Sequence, residues 1–278
     1  MKIPESELII NQDGSIYHLN LKPGELAETI ITVGDPDRVD QVAAYLDSIE
    51  LTRVKREFKT ITGFLKEKRL SIISTGIGTD NIDIVFNEID ALFNIDFVSR
   101  EVKESRTTLS FIRIGTSGCL KNEIALDSFL ISEKAIGTDG LLNFYETSNA
   151  FENMEISLDG ITPYLTKVDP SLFKHFKDAS TISGVTVTAN GFYGPQNRSI
   201  RLKPKADWLQ KLMNYSDGEI TNLEMETAGI YAMAQLLGHR AISLNVLLAN
   251  RKLGSFSENP AKATKALIEW TLEKIMTL

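Results

Sequence analysis

The feature that most constrains this chain is a regular alternation of short Ile-, Val- and Thr-rich runs with longer segments of helical period. Buried strands are expected at residues 29–33, 70–75, 109–115, 128–132, 184–189 and 241–248. Helices are expected between them, at 36–49, 79–93, 224–237 and 260–276. The first opens with Pro36 after Asp35, a pairing that favours a helix start. In the second, Ile82, Val85, Ile89 and Leu92 recur at spacings of three and four, and Asp80 lies near the positive end of the helix dipole. Gly238 is placed to cap the third. Strands without polar alternation are buried on both sides. The expected fold is therefore α/β: one domain over residues 1–278, with a central mixed sheet flanked by helices on both faces in three layers. The polar stretch 99–108 (SREVKESRTT) reads as an exposed excursion between a helix and the next strand.

Composition narrows the function classes. A chain of 278 residues buries roughly three quarters of its unfolded surface and needs no staples. No apolar run approaches the ~18 residues that span a bilayer, and the start MKIPESE shows no signal peptide. The single cysteine, Cys119, excludes an intramolecular disulfide framework and fits a reducing compartment, so a cytoplasmic location is expected. With 30 basic and 37 acidic residues the net charge is −7, which argues against nucleic-acid and membrane-surface partners.

In α/β folds ligands gather outside the carboxyl ends of strands. Four segments put chemistry there. Gly34-Asp35-Pro36-Asp37-Arg38 follows a strand and opens a helix, so backbone N–H groups and Arg38 could hold an anion. Arg113-Ile114-Gly115-Thr116-Ser117-Gly118 places an always-charged guanidinium in a buried-looking strand, followed by hydroxyls. In Phe192-Tyr193-Gly194-Pro195-Gln196-Asn197-Arg198, extended chain after a Gly-Pro turn would set Gln196 and Arg198 on one side. There they could read a pyrimidine edge, with Phe192 stacked on its ring. Glu224-Met225-Glu226 offers two carboxylates for vicinal hydroxyls and a thioether to pack on a sugar. Taken singly, each has a plain alternative: a solvated Arg38, an edge-strand Arg113, a polar loop, acidic residues favoured at a helix N-terminus.

Two other patterns fail. Gly76-Ile77-Gly78-Thr79-Asp80-Asn81 follows a strand, but Asn81 stands where a dinucleotide fingerprint needs its third glycine. His18, His175 and His239 are isolated, so no metal site is expected. Cys119 carries no activating pattern and is expected to be structural.

In this order, and from Tyr17-His18-Leu19 to the final helix, the segments resemble the nucleoside phosphorylase superfamily, and within it the uridine phosphorylase group. The resemblance implies that Gly34, Arg38, Arg113 and Thr116 form a phosphate site, completed by Arg56 from a neighbouring subunit. His18 would reach a neighbour's ribose 5′-hydroxyl. Gln196, Arg198 and Phe192 would hold uracil, and Glu224, Met225 and Glu226 the ribose, with Glu226 on the 2′ and 3′ hydroxyls. The sequence Leu247-Leu248-Ala249-Asn250-Arg251 puts Asn250 where the hexameric purine enzymes of this superfamily carry an Asp that protonates the purine. An amide cannot do so, which favours a pyrimidine. Gly78-Thr79-Asp80-Asn81 departs from the Gly-Pro-Ser run of many relatives, which argues against the monovalent-cation site some build with a glutamate equivalent to Glu57.

The implied reaction is reversible phosphorolysis of uridine or deoxyuridine, with inorganic phosphate as co-substrate and no required cofactor. Shared sites imply a homodimer or a trimer of dimers. Residues 251–260 would form a mobile lid. A purine phosphorylase, a hydrolytic nucleosidase and a non-catalytic nucleoside-binding protein are the rival readings.

Overall fold

Each of the six expected strands forms in the computed structural model, which describes residues 2–146, 149–158, 160–205, 208–216 and 219–278. The chain opens with β1 (Thr29–Val33), α1 (Pro36–Ala43), β2 (Ser48–Lys55), β3 (Phe58–Leu65), β4 (Lys68–Ser74) and α2 (Thr79–Asn94). A small hairpin, β5 (Ile95–Asp96) and β6 (Glu101–Val102), leads to β7 (Ser110–Cys119) and β8 (Phe129–Gly137). Then come β9 (Glu152–Asn153), β10 (Tyr164–Lys167), α3 (Pro170–Phe176), β11 (Thr181–Thr188), α4 (Trp208–Tyr215) and β12 (Ile220–Glu224). The last part holds α5 (Thr227–Leu236), β13 (Arg240–Asn250), β14 (Ser255–Phe256) and α6 (Pro260–Ile275). Among the described residues no helix is long and apolar enough to cross a membrane.

The main sheet is mixed and runs β14-β13-β8-β11-β12-β7-β1-β4-β3-β2. It does not stay open. β13 lies parallel to β7 along its whole length and antiparallel to β8 at Leu244–Val246. The ring β7-β12-β11-β8-β13 therefore closes on itself, and β1, β4, β3 and β2 extend from it as a wing. Helix α1 packs on the wing, while α5 and α6 pack on the ring strands. On α2 the stripe expected from spacing is buried, with Ile82, Val85 and Ile89 at 0% exposure. Full burial of each such side chain contributes about 1.5–3 kcal/mol.

Three boundaries differ from expectation. Helix α1 ends at Ala43, not 49, because Ile49 and Leu51 pair with Gly63 and Thr62 of β3. Edge strand β2 had the look of a helix tail. Helix α5 starts at Thr227, since Glu224 closes β12, and residues 227–234 are buried on every side instead of along a stripe. Residues 99–108 are mostly exposed but include β6, and Arg100 ties the amino-terminal segment down through Ile3, Pro4 and Leu8 carbonyls.

The ring interior is polar where its strands converge. Ser132 and Thr186 share a hydrogen bond of 2.6 Å, and the Thr186 hydroxyl donates to Asn222 Oδ1 at 2.8 Å. Asn222 Nδ2 donates to Ser117 at 2.9 Å, and Asn245 Nδ2 donates to Ser132 at 3.2 Å. Satisfied buried networks of this kind fix one register of the strands.

Candidate active site

A cavity of about 700 Å³ opens where β1, β7 and β12 end. Gly34, Arg38 and Thr116 lie on its wall, as do Met225, Glu226 and Arg113, and as do Phe192, Gln196 and Arg198. The four segments picked out in the sequence thus meet in one place.

The carboxylates are anchored by two helix starts. Glu224 accepts from the Glu226 N–H at 2.9 Å, from the Thr227 N–H at 2.9 and 3.1 Å, and from the Thr188 hydroxyl at 2.6 Å. It caps α5, so its oxygens are spent on protein donors. Glu224 lines the cavity beside Met225 and Glu226, and these contacts make it a brace of the site. Glu226 accepts from the Gly78 N–H, at the start of α2, at 2.9 Å. Gly78 holds φ +98°, a conformation that glycine adopts without strain.

Arg113 lies between the two. Its Nη2 is 2.6 Å from Glu226 Oε2 and 3.0 Å from Glu224 Oε2, and its Nη1 donates to Asn245 Oδ1 at 2.9 Å. Gly115 makes room, since a Cβ there would fall 1.8 Å from Arg113 Nη1. Burial opposes the guanidinium charge, but Glu224 and Glu226 more than offset it and raise the Arg113 pKa. Burial likewise pushes the Glu226 carboxyl up, and Arg113 pulls it back only in part. The Arg113 fork therefore points at carboxylates and at Asn245. Arg38 is different. Its Nη1 makes a long contact, 3.5 Å, to the Ile114 carbonyl. Burial first, and then repulsion from Arg113, lower its pKa. A bound anion relieves both.

At the other end, Gln196 and Arg198 reach the wall by a route the sequence did not suggest. The chain is not extended there: residues Gly194–Gln196 make a 3₁₀ turn and Asn197 takes φ +53°. Gln196 is buried, and the Arg198 guanidinium carbon sits 4.1 Å from the Phe192 ring centroid. Burial lowers the Arg198 pKa.

Asn250 is a correction. It is not on the cavity wall; Leu248, Ala249 and Phe256 are. Its Nδ2 donates to the Lys121 carbonyl at 2.9 Å, and its Oδ1 accepts from the Lys252 and Leu253 N–H groups at 3.1 Å. The amide closes a turn and has nothing left for a base. Residues 251–260, expected as a lid, fold back through pairing of β14 with β13, which sets Phe256 on the wall.

His18 and Arg56 are also off the wall. His18 Nδ1 is 2.6 Å from Glu88, and Arg56 lies 6.0 Å from the Tyr17 ring beside Lys55. Both stand on a separate surface near the β2–β3 turn. Glu57, next to Arg56, does line the cavity, and it and Asn81 both lie against Gly76. Cys119 is buried and its sulfur bonds the Lys121 backbone; burial raises its pKa, which suits a structural thiol.

Sequence reasoning missed Arg251. Its Nη1 donates to the Gln196 carbonyl at 2.6 Å, fixing the turn that carries Gln196 and Arg198. The signal was an arginine just past the carboxyl end of a strand, where ligands of α/β folds gather.

Known proteins similar to this chain cover most of its length. The family model described as the phosphorylase superfamily matches residues 28–274. A uridine phosphorylase of Thermococcus kodakarensis is 27% identical over 98% of this chain and 94% of its own. A DeoD-type purine nucleoside phosphorylase of Listeria welshimeri is 28% identical over 82% of this chain and 84% of its own. Among solved structures, a Trypanosoma brucei nucleoside phosphorylase described as showing uridine phosphorylase activity superimposes with a TM-score of 0.81. It is 28% identical, over 98% of this chain and all of the other.

Proposed function

Given that this chain belongs to the phosphorylase superfamily, we propose that it is a pentosyltransferase that cleaves uridine, or deoxyuridine, with inorganic phosphate. The observation that carries this reading is the single cavity with a cationic end, a carboxylate middle and an amide–guanidinium end. Phosphate sits by Arg38, the Gly34 turn and Thr116, within the field of Arg113. Glu226, anchored on Gly78, accepts from the ribose hydroxyls, and Met225 packs on the sugar. Gln196 and Arg198 hold the uracil edge with Phe192 against the ring.

The C1′–N1 bond breaks as a phosphate oxygen closes on C1′. Positive charge on the sugar is met by the phosphate, and negative charge on the departing uracil by Arg198. The proton that hydrogen phosphate gives up balances the one that uracil gains. No covalent enzyme intermediate and no cofactor is required. The run Gly78-Thr79-Asp80-Asn81, in place of the Gly-Pro-Ser of many relatives, does not favour the monovalent-cation site that some of them build with a glutamate equivalent to Glu57. Arg56, exposed, and His18, half-buried, both lie off this cavity and are assigned to a neighbour's cavity in a homodimer or a trimer of dimers.

The test is ultraviolet absorbance of uridine with and without phosphate, with inosine in parallel. Phosphate-dependent loss of uridine alone is expected. Cleavage without phosphate makes the chain a nucleosidase. The likeness to a purine enzyme and the position of Asn250 outside the cavity keep a purine substrate as the second reading, and turnover of inosine alone would establish it.

A further inference from the structure

Beside the site lies a second cavity, of about 940 Å³, at the upper end of the range for small-ligand pockets. Arg198 lines both cavities. One wall of the second is aromatic and aliphatic, with Trp208, Tyr193, Leu158 and Ile161. Opposite in character is the segment 198–205, which carries Arg198, Arg201, Lys203 and Lys205, all on the lining. Among the described lining residues there is no carboxylate, although the whole chain has a net charge of −7. Arg198 Nε is buried and has no hydrogen-bond partner among the described residues. Ile200 and Leu202, between the cations, are 77% and 81% exposed.

A concave apolar and aromatic wall facing a row of cations matches a ligand with a flat ring and several negative charges. We propose that this cavity binds a nucleoside polyphosphate, its ring on Trp208 and Tyr193 and its phosphates on Arg201, Lys203 and Lys205, and that occupancy draws Arg198 away from the base end of the active site. The inhibition this implies rests on the base-holding role proposed above for Arg198; the binding does not. An acidic peptide would use the cations but leave the aromatic side chains of Trp208 and Tyr193 without a partner.

Trp208 supplies the readout. The second tryptophan, Trp270, packs against Phe129 and Phe176 on α6. In the full-length Trp270→Phe chain, Trp208 emission is titrated with ADP. Saturable quenching is expected, displaced by inorganic tripolyphosphate and weakened by uridine with phosphate only to a plateau, the reciprocal of the coupling through Arg198. Adding Arg201→Ser and Lys203→Ser should weaken it on the order of tenfold, the loss of about 1.4 kcal/mol, and should leave the basal rate with uridine unchanged while raising the ADP concentration needed for half-inhibition by the same factor. Failure of ADP to quench at millimolar concentration overturns the proposal. So does equal quenching in the double variant, or complete displacement by uridine with phosphate without a plateau, which places ADP in the active site. Failure of tripolyphosphate to displace overturns the phosphate contacts. Quenching without inhibition overturns the coupling through Arg198. A chain that binds ADP in this way but does not turn over uridine would sink the proposed function and leave the second site standing.

Discussion

Replacing Glu224 by Gln separates a brace from a ligand. Whichever way the new carboxamide turns, its NH₂ faces at least two groups that now donate to Glu224: Thr188 and Thr227 on one oxygen, or Glu226, Thr227 and Arg113 on the other. Loss of a helix cap costs about 1 kcal/mol, and each buried donor left without a partner about 1–3 kcal/mol. The expected loss of stability is roughly 3–5 kcal/mol, a fall in Tm on the order of 10 °C for a chain of this size. Glu226→Gln behaves differently. It keeps one acceptor for Gly78 or Arg113 and removes a carboxylate whose ionisation burial already opposes. Its Tm should fall by only a few degrees, while kcat/KM for uridine falls by about 100-fold or more, because a charge-stabilising contact is lost. Calorimetry on both variants, with phosphorolysis rates, makes the comparison. A Glu224→Gln protein that melts within about 2 °C of the parent would refute the assignment of Glu224 to the frame.

Arg198→Ala should remove one charge-assisted bond to the leaving base, about 1.5–3 kcal/mol, or roughly 10- to 150-fold in kcat/KM; an unchanged value would end its role. Asn250→Asp should lower Tm by placing a charge at a buried site that donates to Lys121, and should confer no inosine turnover; a gain of inosine turnover would show that this side chain reaches the base. Asp178 has its pKa lowered to about 2, through the Lys274 bond first and Ser180 next. Its contribution to stability is thus present above the ordinary value of 3.8 and lost as pH falls toward 2. Asp178→Asn should flatten the decline of Tm in that window, and an unchanged acid limb would count against the pair.

Local chemistry made much of the fold legible. Runs such as Thr29–Val33 read as strands because their residues suit burial on both faces. What did not show was pairing over long separations: nothing in residues 240–250 announces that they touch both β7 and β8. β12 was hidden because Leu-Glu-Met-Glu reads as the opening of the helix that follows. At the site, residue types at strand ends located Arg38, Thr116, Gln196, Arg198 and Glu226. They could not say which way a side chain turns. Glu224 and Asn250 have the right chemistry in the right segment, yet their oxygens are consumed by neighbouring backbone N–H groups.

Closure of the ring by β13 also sets an order of events during synthesis. Its residues pair with β7 across a sequence separation of 130, and only β14 and α6 follow it. Until that strand leaves the ribosome, Arg113 lacks Asn245, the polar interior is open, and the wall carrying Leu248 and Phe256 does not exist. Nascent chains therefore offer nucleosides no cavity, and folding waits on a distant partner, which slows it. Truncation into residues 240–250 would abolish the site all at once, never by degrees.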